Sequence, residues 1–274
     1  MDYQKYLRND NFPHIWCSGC GAGIAFKAIL RAVDDLGIEQ DDVAMVSGIG
    51  CSSRTTGYAD FNTIHTTHGR PITFATGLKM ARPDMTVLVV TGDGDATAIG
   101  GNHLIHAARR NIDMTVILYN NNIYGMTGGQ ASPTTPLGDF GTTAPFGAVE
   151  NTFDISGLVI AAGAAYVARC TAFHAKLLGD LIRGGIEKKG FSLIEVMAPC
   201  PTAYGKLNKK GSGAKMILDQ KEAAVRIAKA EKMAAEELED RIVIGVLVDR
   251  DIPEYIQSCD AAVARAMNAT KGSA

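Results

Sequence analysis

The stretch 86-TVLVVTGDGDATAIG-100, followed by 114-MTVILYNNNIYG-125, decides the fold. Each half opens on an unbroken β-branched and aliphatic run, the mark of a strand buried on both faces. Each run then breaks into small and polar residues at its carboxyl end, and residues 98–110 between them read as a helix. Strand, helix, strand is the unit of a parallel sheet with helices on its faces.

Working outward, the same alternation continues. Residues 20–36 set Ile24, Ala28, Ile29, Ala32, Val33 and Leu36 on one helical face, with Gly37 as a stop. A strand over 43–46 runs into the glycine-rich turn 47–51, and a helix over 73–81 ends at Arg82-Pro83. Residues 120–152 form a long Gly, Thr, Pro and Asn loop, a length that base rates reserve for functional or disordered segments. Helices over 155–162 and 173–188 flank a short strand at 164–168, and 191–197 is a further strand. An Ala/Glu/Lys-rich helix at 219–239, a strand at 242–248 and a last helix at 253–268 complete the chain. The expected class is α/β: a mostly parallel sheet with helices on both faces, plus N- and C-terminal extensions. Residues 1–215 form the ligand-binding domain and 216–274 an extension packed on it or on a partner subunit.

Composition narrows the setting. Lys+Arg is 27 against Asp+Glu 29, which disfavours a general nucleic-acid binder. The first residues are polar, and no apolar run reaches the roughly 18 residues of a membrane span. The expected location is the cytoplasm, without membrane attachment, where thiols stay reduced and cysteines more often bind metals or do chemistry.

Parallel sheets bind ligands beyond the carboxyl ends of their strands. Four unusual segments follow strands there: 48–54, 92–95, 120–127 and 198–201. Gly92-Asp93-Gly94-Asp95 supplies glycines that let backbone approach a phosphate, and its carboxylates with the amides of Asn120-Asn121-Asn122 are hard oxygen donors that suit Mg²⁺. GDG alone is also a tight turn, and NNN alone a loop. Their spacing, one helix and one return strand after buried strands, resembles the thiamine-diphosphate motif. That resemblance implies Mg²⁺ held by Asp93, Asn121 and the carbonyl of Ile123.

Six cysteines are too few for a disulfide scaffold. Cys17 and Cys20 form a CxxC opening a helix, while Cys51 and Cys200 stand on loops at the sheet's carboxyl end. Four convergent thiolates fit a [4Fe–4S] cluster, one per iron, and Pro201 after Cys200 matches the ferredoxin C-P ending. Spacing alone does not separate this from a Cys₄ zinc site; position beside the diphosphate motif favours iron. Cys170 and Cys259 have no partners at ligand spacing and read as buried packing residues.

The chain resembles the β subunits of 2-oxoacid:ferredoxin oxidoreductases, nearest to the 2-oxoglutarate type. The resemblance runs over about 12–215 and rests on WCSGCG (16–21), GIGCSSR (48–54), HTTHGR (65–70), GDGD (92–95), IGGNHLIHA (99–107), NNNIYGMTGGQ (120–130), SPTTPLG (132–138) and APCP (198–201). It implies CoA-dependent oxidative decarboxylation of 2-oxoglutarate, with electrons passed through a [4Fe–4S] cluster on Cys17, Cys20, Cys51 and Cys200 to ferredoxin. Gly50, Ser52, Ser53, His68, Gly92, Gly94, Asp95, Asn121, Tyr124, Gly125, Met126 and Thr127 would surround thiamine diphosphate, Met126 propping its V conformation. Arg54, His68 and Met126 are the candidate catalytic residues, and a guanidinium at position 54 suits the carboxylates of a dicarboxylic oxoacid. His65 is a weaker candidate, and the His103/His106 pair lacks a third ligand. No glutamate of this chain matches the residue that polarises the aminopyrimidine; Glu150 and Glu195 fit no relevant pattern. The resemblance therefore implies an α subunit that supplies this Glu and part of the substrate/CoA site, assembled as a dimer of αβ units. The competing readings are pyruvate or branched-chain 2-oxoacids as substrate, a thiamine enzyme subunit without a cluster, and a zinc-stapled diphosphate-binding module without redox activity.

Overall fold

The computed structural model describes residues 2–271. Strands β1 (Val43–Ser47), β2 (Asn62–His65), β3 (Thr86–Gly92), β4 (Met114–Asn120), β5 (Tyr166–Thr171), β6 (Phe191–Met197), β7 (Ala224–Arg226) and β8 (Ile242–Asp249) form one sheet, in the order β2-β1-β3-β4-β6-β5-β8-β7. The first six strands pair in parallel. β8 runs antiparallel to β5, with an irregularity between Val167 and Ala168, and β7 lies parallel to β8.

Alternating side chains of the buried strands feed two apolar layers. Leu88 and Val90 point into one, with α1 (Ala22–Asp35) against them; Val87 and Val89 point into the other. The short α2 (Thr55–Tyr58) follows the Cys51 loop, and α3 (Pro71–Ala81), α4 (Gly101–Arg110) and α5 (Ile155–Ala162) cover the second layer. α6 (Ala175–Glu187) packs beside α1 on the first. Burial of each Val or Leu in these layers contributes about 1.5–3 kcal/mol, so the central strands are the most firmly held part of the molecule. α/β, mostly parallel, with both faces covered, is therefore the observed class.

Several elements differ from expectation. The edge strand β2 is too short and polar to announce itself; it exists because Ala44–Ser47 offers it a partner. The helix expected over 98–110 begins with a wide π-type turn over Asp95–Ile99, and α4 starts only at Gly101. Any side chain at Gly100 would press on the Asp95 carbonyl at 2.4 Å. The single helix expected over 219–239 is broken. α8 (Gly213–Ala223) stops where Val225 leaves to pair with Val243, and α9 (Ile227–Ala230) and α10 (Ala235–Leu238) are one turn each. Helix propensity without an apolar stripe gives way to a strand that buries Val225. The one-turn α7 (Tyr204–Leu207) and the long α11 (Tyr255–Lys271) complete the chain. Cys259 was expected to be buried; it is exposed, because α11 leaves the body after the buried Glu254, which accepts the N–H groups of Ile256 and Gln257. Cys170 is buried in β5, as expected. No helix among the described residues is long and apolar enough to cross a membrane.

Candidate active site

β1 is followed by β2 on one side and β3 on the other, so the chain changes direction between β1 and β3. At such a switch point, the loops leaving two strands diverge and open a crevice. Here a cleft of about 360 Å³ lies between the loops after β1, β3 and β4, with Ala198 after β6 at its end.

Asp95 is the buried hub beneath the cleft. Its Oδ1 accepts the Gly69 N–H at 2.7 Å and the Ile49 N–H at 3.3 Å, and its Oδ2 accepts the Thr91 hydroxyl at 2.6 Å. One carboxylate thereby ties the loops after β1 and β2 to the end of β3. A Cβ at Gly48 would lie 2.0 Å from Asp95 Oδ2, which is why glycine stands there. His68 Nδ1 sits 2.9 Å from Asp95 Oδ1 without the alignment of a hydrogen bond. The His68 ring meets Tyr124 edge-on at 6.1 Å.

Asp93 is buried on the cleft wall. Ser132 and Thr134 donate to its Oδ2 at 2.7 and 2.5 Å, and Thr97 donates to its carbonyl at 2.6 Å. Burial pushes its carboxyl group up from the ordinary range; the hydroxyls of Thr134 and Ser132 work against that rise. Asn121, Ile123 and Tyr124 line the facing wall. The Tyr124 hydroxyl donates to the Gly94 carbonyl at 3.4 Å, and any side chain at Gly94 would collide with its ring at 2.1 Å. Burial, then Asp93 and Asp95, push the Tyr124 phenol up.

The thiols gather at one end of this cleft. A Cβ at Gly125 would stand 3.2 Å from Cys200 Sγ and 3.9 Å from Cys51 Sγ, so the cleft wall and the thiols share a backbone. The CxxC turn packs on the 198–200 loop: the Gly21 N–H donates to the Pro199 carbonyl at 3.4 Å, and a Cβ at Gly21 would meet Ala198 at 2.8 Å. The Trp16 indole donates to the Cys51 carbonyl at 2.8 Å, tying the segment before the CxxC to the Cys51 loop. Burial and then the neighbouring Cys20, Cys200 and Cys17 push the Cys51 thiol up to about 12. All four cysteines are unpaired.

Of the residues expected around the cleft, Gly50, Ser52, His68, Gly92, Gly94, Asp95, Tyr124, Gly125, Met126 and Thr127 line it, with Asp93, Asn121, Ile123, Cys20 and Cys51. Ser53 does not: its hydroxyl is buried below the loop without a partner. Arg54 stands outside the lining, exposed at the mouth, its guanidinium 4.0 Å from the Met126 sulfur. Among the described residues, no carboxylate pairs with Arg54. His65 ends β2 on the surface, and His106 accepts only from Arg109 within α4. The clamp of Ser132 and Thr134 on Asp93 was not foreseen; it joins residues 39 and 41 positions apart, and no local spacing signals it. Gln130, bonded to Thr127, also lines the cleft. The carboxylates lining it, among the described residues, are Asp93 and Asp95. Glu195 is buried in β6 and Glu150 stands by a separate hollow near Pro133 and Phe146.

Residues 48–196 match the family model of the thiamine pyrophosphate enzyme C-terminal TPP-binding domain. Over 253 residues, 92% of this chain and 94% of the relative, the sequence is 56% identical to a 2-oxoglutarate synthase subunit KorB of Methanocaldococcus jannaschii. The chain belongs to the β subunits of the 2-oxoacid:ferredoxin oxidoreductases. A KorB subunit of Methanothermobacter marburgensis is also 56% identical, over 94% of this chain and 90% of the relative. A solved 2-oxoglutarate:ferredoxin oxidoreductase of Magnetococcus marinus, with 2-oxoglutarate, coenzyme A and succinyl-CoA bound, superposes with a TM-score of 0.87 at 33% identity. That match covers 97% of this chain and 91% of the other. Within this β subunit, the thiamine pyrophosphate domain model takes in Cys51 but stops short of Cys17, Cys20 and Cys200. Three of the four gathered thiols are thus additions at the borders of the domain.

Proposed function

We propose that the chain is the thiamine diphosphate-binding subunit of a 2-oxoglutarate:ferredoxin oxidoreductase. With an α partner it converts 2-oxoglutarate and CoA to succinyl-CoA and CO₂, and two electrons leave for ferredoxin. The observation that carries this reading is the single cleft into which the GDGD loop, the NNN turn and the Cys51 loop all open.

The donor set fits the implied groups. Asp93 and Asn121 offer hard oxygens to one cleft, Gly92 lets backbone line it, and Gly94 admits the Tyr124 ring to its wall. The Cys51 and Cys200 thiols stand beside the diphosphate loops, where an electron-carrying cluster has a use and a zinc staple has none. Asp93, Asn121 and the Ile123 carbonyl would hold Mg²⁺, and Cys17, Cys20, Cys51 and Cys200 a [4Fe–4S] cluster. When bound, thiamine diphosphate supplies the nucleophilic carbon and electron sink for decarboxylation, and the cluster a one-electron store.

The chain's own residues bind and orient. Ser52 and His68 would contact the diphosphate and Met126 would prop the bound cofactor, while Asp95 fixes the loops after β1 and β2. Arg54, free of ion pairing at the mouth, receives the distal carboxylate of the substrate through two parallel N–H bonds. Among the described residues no glutamate lines the cleft, and an α subunit, in a dimer of αβ units, supplies the one that polarises the aminopyrimidine. Residues 1–215 carry the cleft and thiols and 216–274 the extension, and the assembly works in the cytoplasm. Assay of the αβ complex with ferredoxin against a panel of 2-oxoacids tests this. A preference for 2-oxoglutarate supports the reading; turnover of pyruvate or branched-chain oxoacids alone overturns its substrate.

A further inference from the structure

β6 is otherwise a strand of the buried sheet, yet it carries Glu195, 3% exposed, between β4 and β5. A carboxylate so placed is tolerated only if its oxygens are paired and hydrogen-bonded. They are. Oε2 accepts the Ser156 hydroxyl at 2.6 Å and Arg169 Nε at 2.8 Å, and Oε1 accepts Asn120 Nδ2 at 2.8 Å. The last bond matters most, because an amide has one donor end and one acceptor end. With Nδ2 committed to a group that only accepts, Asn120 Oδ1 must face the other way, where it accepts the Asn122 N–H at 3.3 Å. That N–H belongs to the turn on which Asn121 and Ile123 line the cleft, and Asn122 holds a left-handed φ of 61° within it. The Asn122 carbonyl is held in turn by the Thr135 hydroxyl at 2.7 Å.

We infer that Glu195 is a positioning residue for the cation-binding turn: by fixing the orientation of the Asn120 amide, it sets how Asn121 and the Ile123 carbonyl are presented to Mg²⁺. This rests on the reading of that turn as the Mg²⁺–diphosphate site. Arg169, whose other end reaches Asp154 at 3.2 Å, donates to Glu195 Oε2 from the far side and fixes that carboxylate in place. Glu195 itself touches neither cofactor nor substrate.

The chemistry dictates an unusual mutant set. Glu195→Gln keeps one acceptor; if that serves Arg169 and Ser156, the new amide donor faces Asn120 and turns it over, and the Asn122 N–H loses its acceptor. Asn120→Asp sets two carboxylates against each other. The double variant E195Q/N120D restores a donor–acceptor pair at 195 and 120 and an acceptor for Asn122. Each variant αβ complex is titrated with Mg²⁺ at fixed thiamine diphosphate, without oxoacid or CoA, and binding is followed by calorimetry; Tm is measured in parallel. Glu195→Gln raises the half-saturating Mg²⁺ about tenfold or more, the size expected when the support of a metal ligand is removed. The double variant returns most of that loss. Asp154→Ala, which breaks the outer ion pair and the α5 cap, lowers Tm and leaves Mg²⁺ saturation where it was. Unchanged Mg²⁺ saturation in Glu195→Gln, no recovery in the double variant, or an equal shift in Asp154→Ala overturns the inference. Should Glu195→Gln fail to fold, Asn120→Ala decides by the same measure, since it removes the relay and leaves the Glu195–Arg169 pair. A wild-type complex that binds thiamine diphosphate without regard to Mg²⁺ overturns the functional reading itself, and this inference with it.

Discussion

The carboxyl end of the sheet and its C-terminal edge hold their backbone by different means. At the carboxyl end, three buried carboxylates, Asp93, Asp95 and Glu195, are each held by several hydroxyl, amide or guanidinium donors from neighbouring strands, helices and loops. At the edge, β7 and β8 join through the strand ladder with Val225 and Ile244 buried, α8 holds on through Met216 and the Gln220 bonds to Phe173 and Met197, and α11 stands clear of the body. Buried polar groups are costly, and a chain that concentrates them at one end has organised that end for something other than stability. The edge, built of cheaper contacts, is where substitution is expected to be tolerated.

The contrast is sharpest for the thiols. If the proposed cluster is held there, replacing Cys51 or Cys200 with Ser in the αβ complex removes its visible absorption and drops ferredoxin reduction to background; Cys259→Ser, on the exposed helix, changes neither. Asp93→Asn comes next. It raises the Mg²⁺ needed for thiamine diphosphate binding by about 10–100-fold. Its effect on the metal-free chain has the opposite sign. Burial pushes the folded-state carboxyl above its unfolded value, so the folded form holds its proton longer and stability falls as pH rises through the folded pKa. Asn keeps an acceptor for Ser132 and Thr134 without the charge, so Tm of the metal-free variant at neutral pH lies above wild type, by about 2–4 °C for each kcal/mol recovered. A lower Tm would show that the hydroxyl clamp outweighs the burial.

Arg54→Ala is a smaller effect, because its target is one carboxylate at an open mouth. KM for 2-oxoglutarate rises about tenfold, equal to about 1.4 kcal/mol, while KM for CoA holds. An unchanged oxoacid KM removes Arg54 from the substrate site. Smallest is Val263→Ser on α11, where the side chain is 57% exposed: stability of the β chain stays within about 0.5 kcal/mol, as measured by denaturant unfolding.

The same contrast governs what could be read from the residues alone. β3 and β4 declare themselves because burial on both faces demands an unbroken apolar run, and the turns after them stand out against it. The convergence of the four loop segments followed from the parallel sheet, and with it the meeting of Cys51 and Cys200 beside Gly125. The Ser132–Thr134 clamp and the Glu195–Asn120 relay were hidden, since they join residues far apart whose types are common in any loop or strand. Ser53 sits inside the most legible motif yet turns inward, because a short turn cannot present consecutive side chains to the same side. At the edge, a strongly helical composition over 219–239 yielded to a three-residue strand, an outcome set by the waiting edge of β8.

The central claim is that this chain holds the cofactor and the cluster but only half of the active site. Anaerobic addition of 2-oxoglutarate to the oxidised protein, loaded with Mg²⁺ and thiamine diphosphate, tests it directly through the visible absorption of the cluster. Bleaching in the αβ complex, and none with the β chain alone, is the predicted result. Bleaching by the β chain alone, or unchanged absorption in the complex, would contradict it.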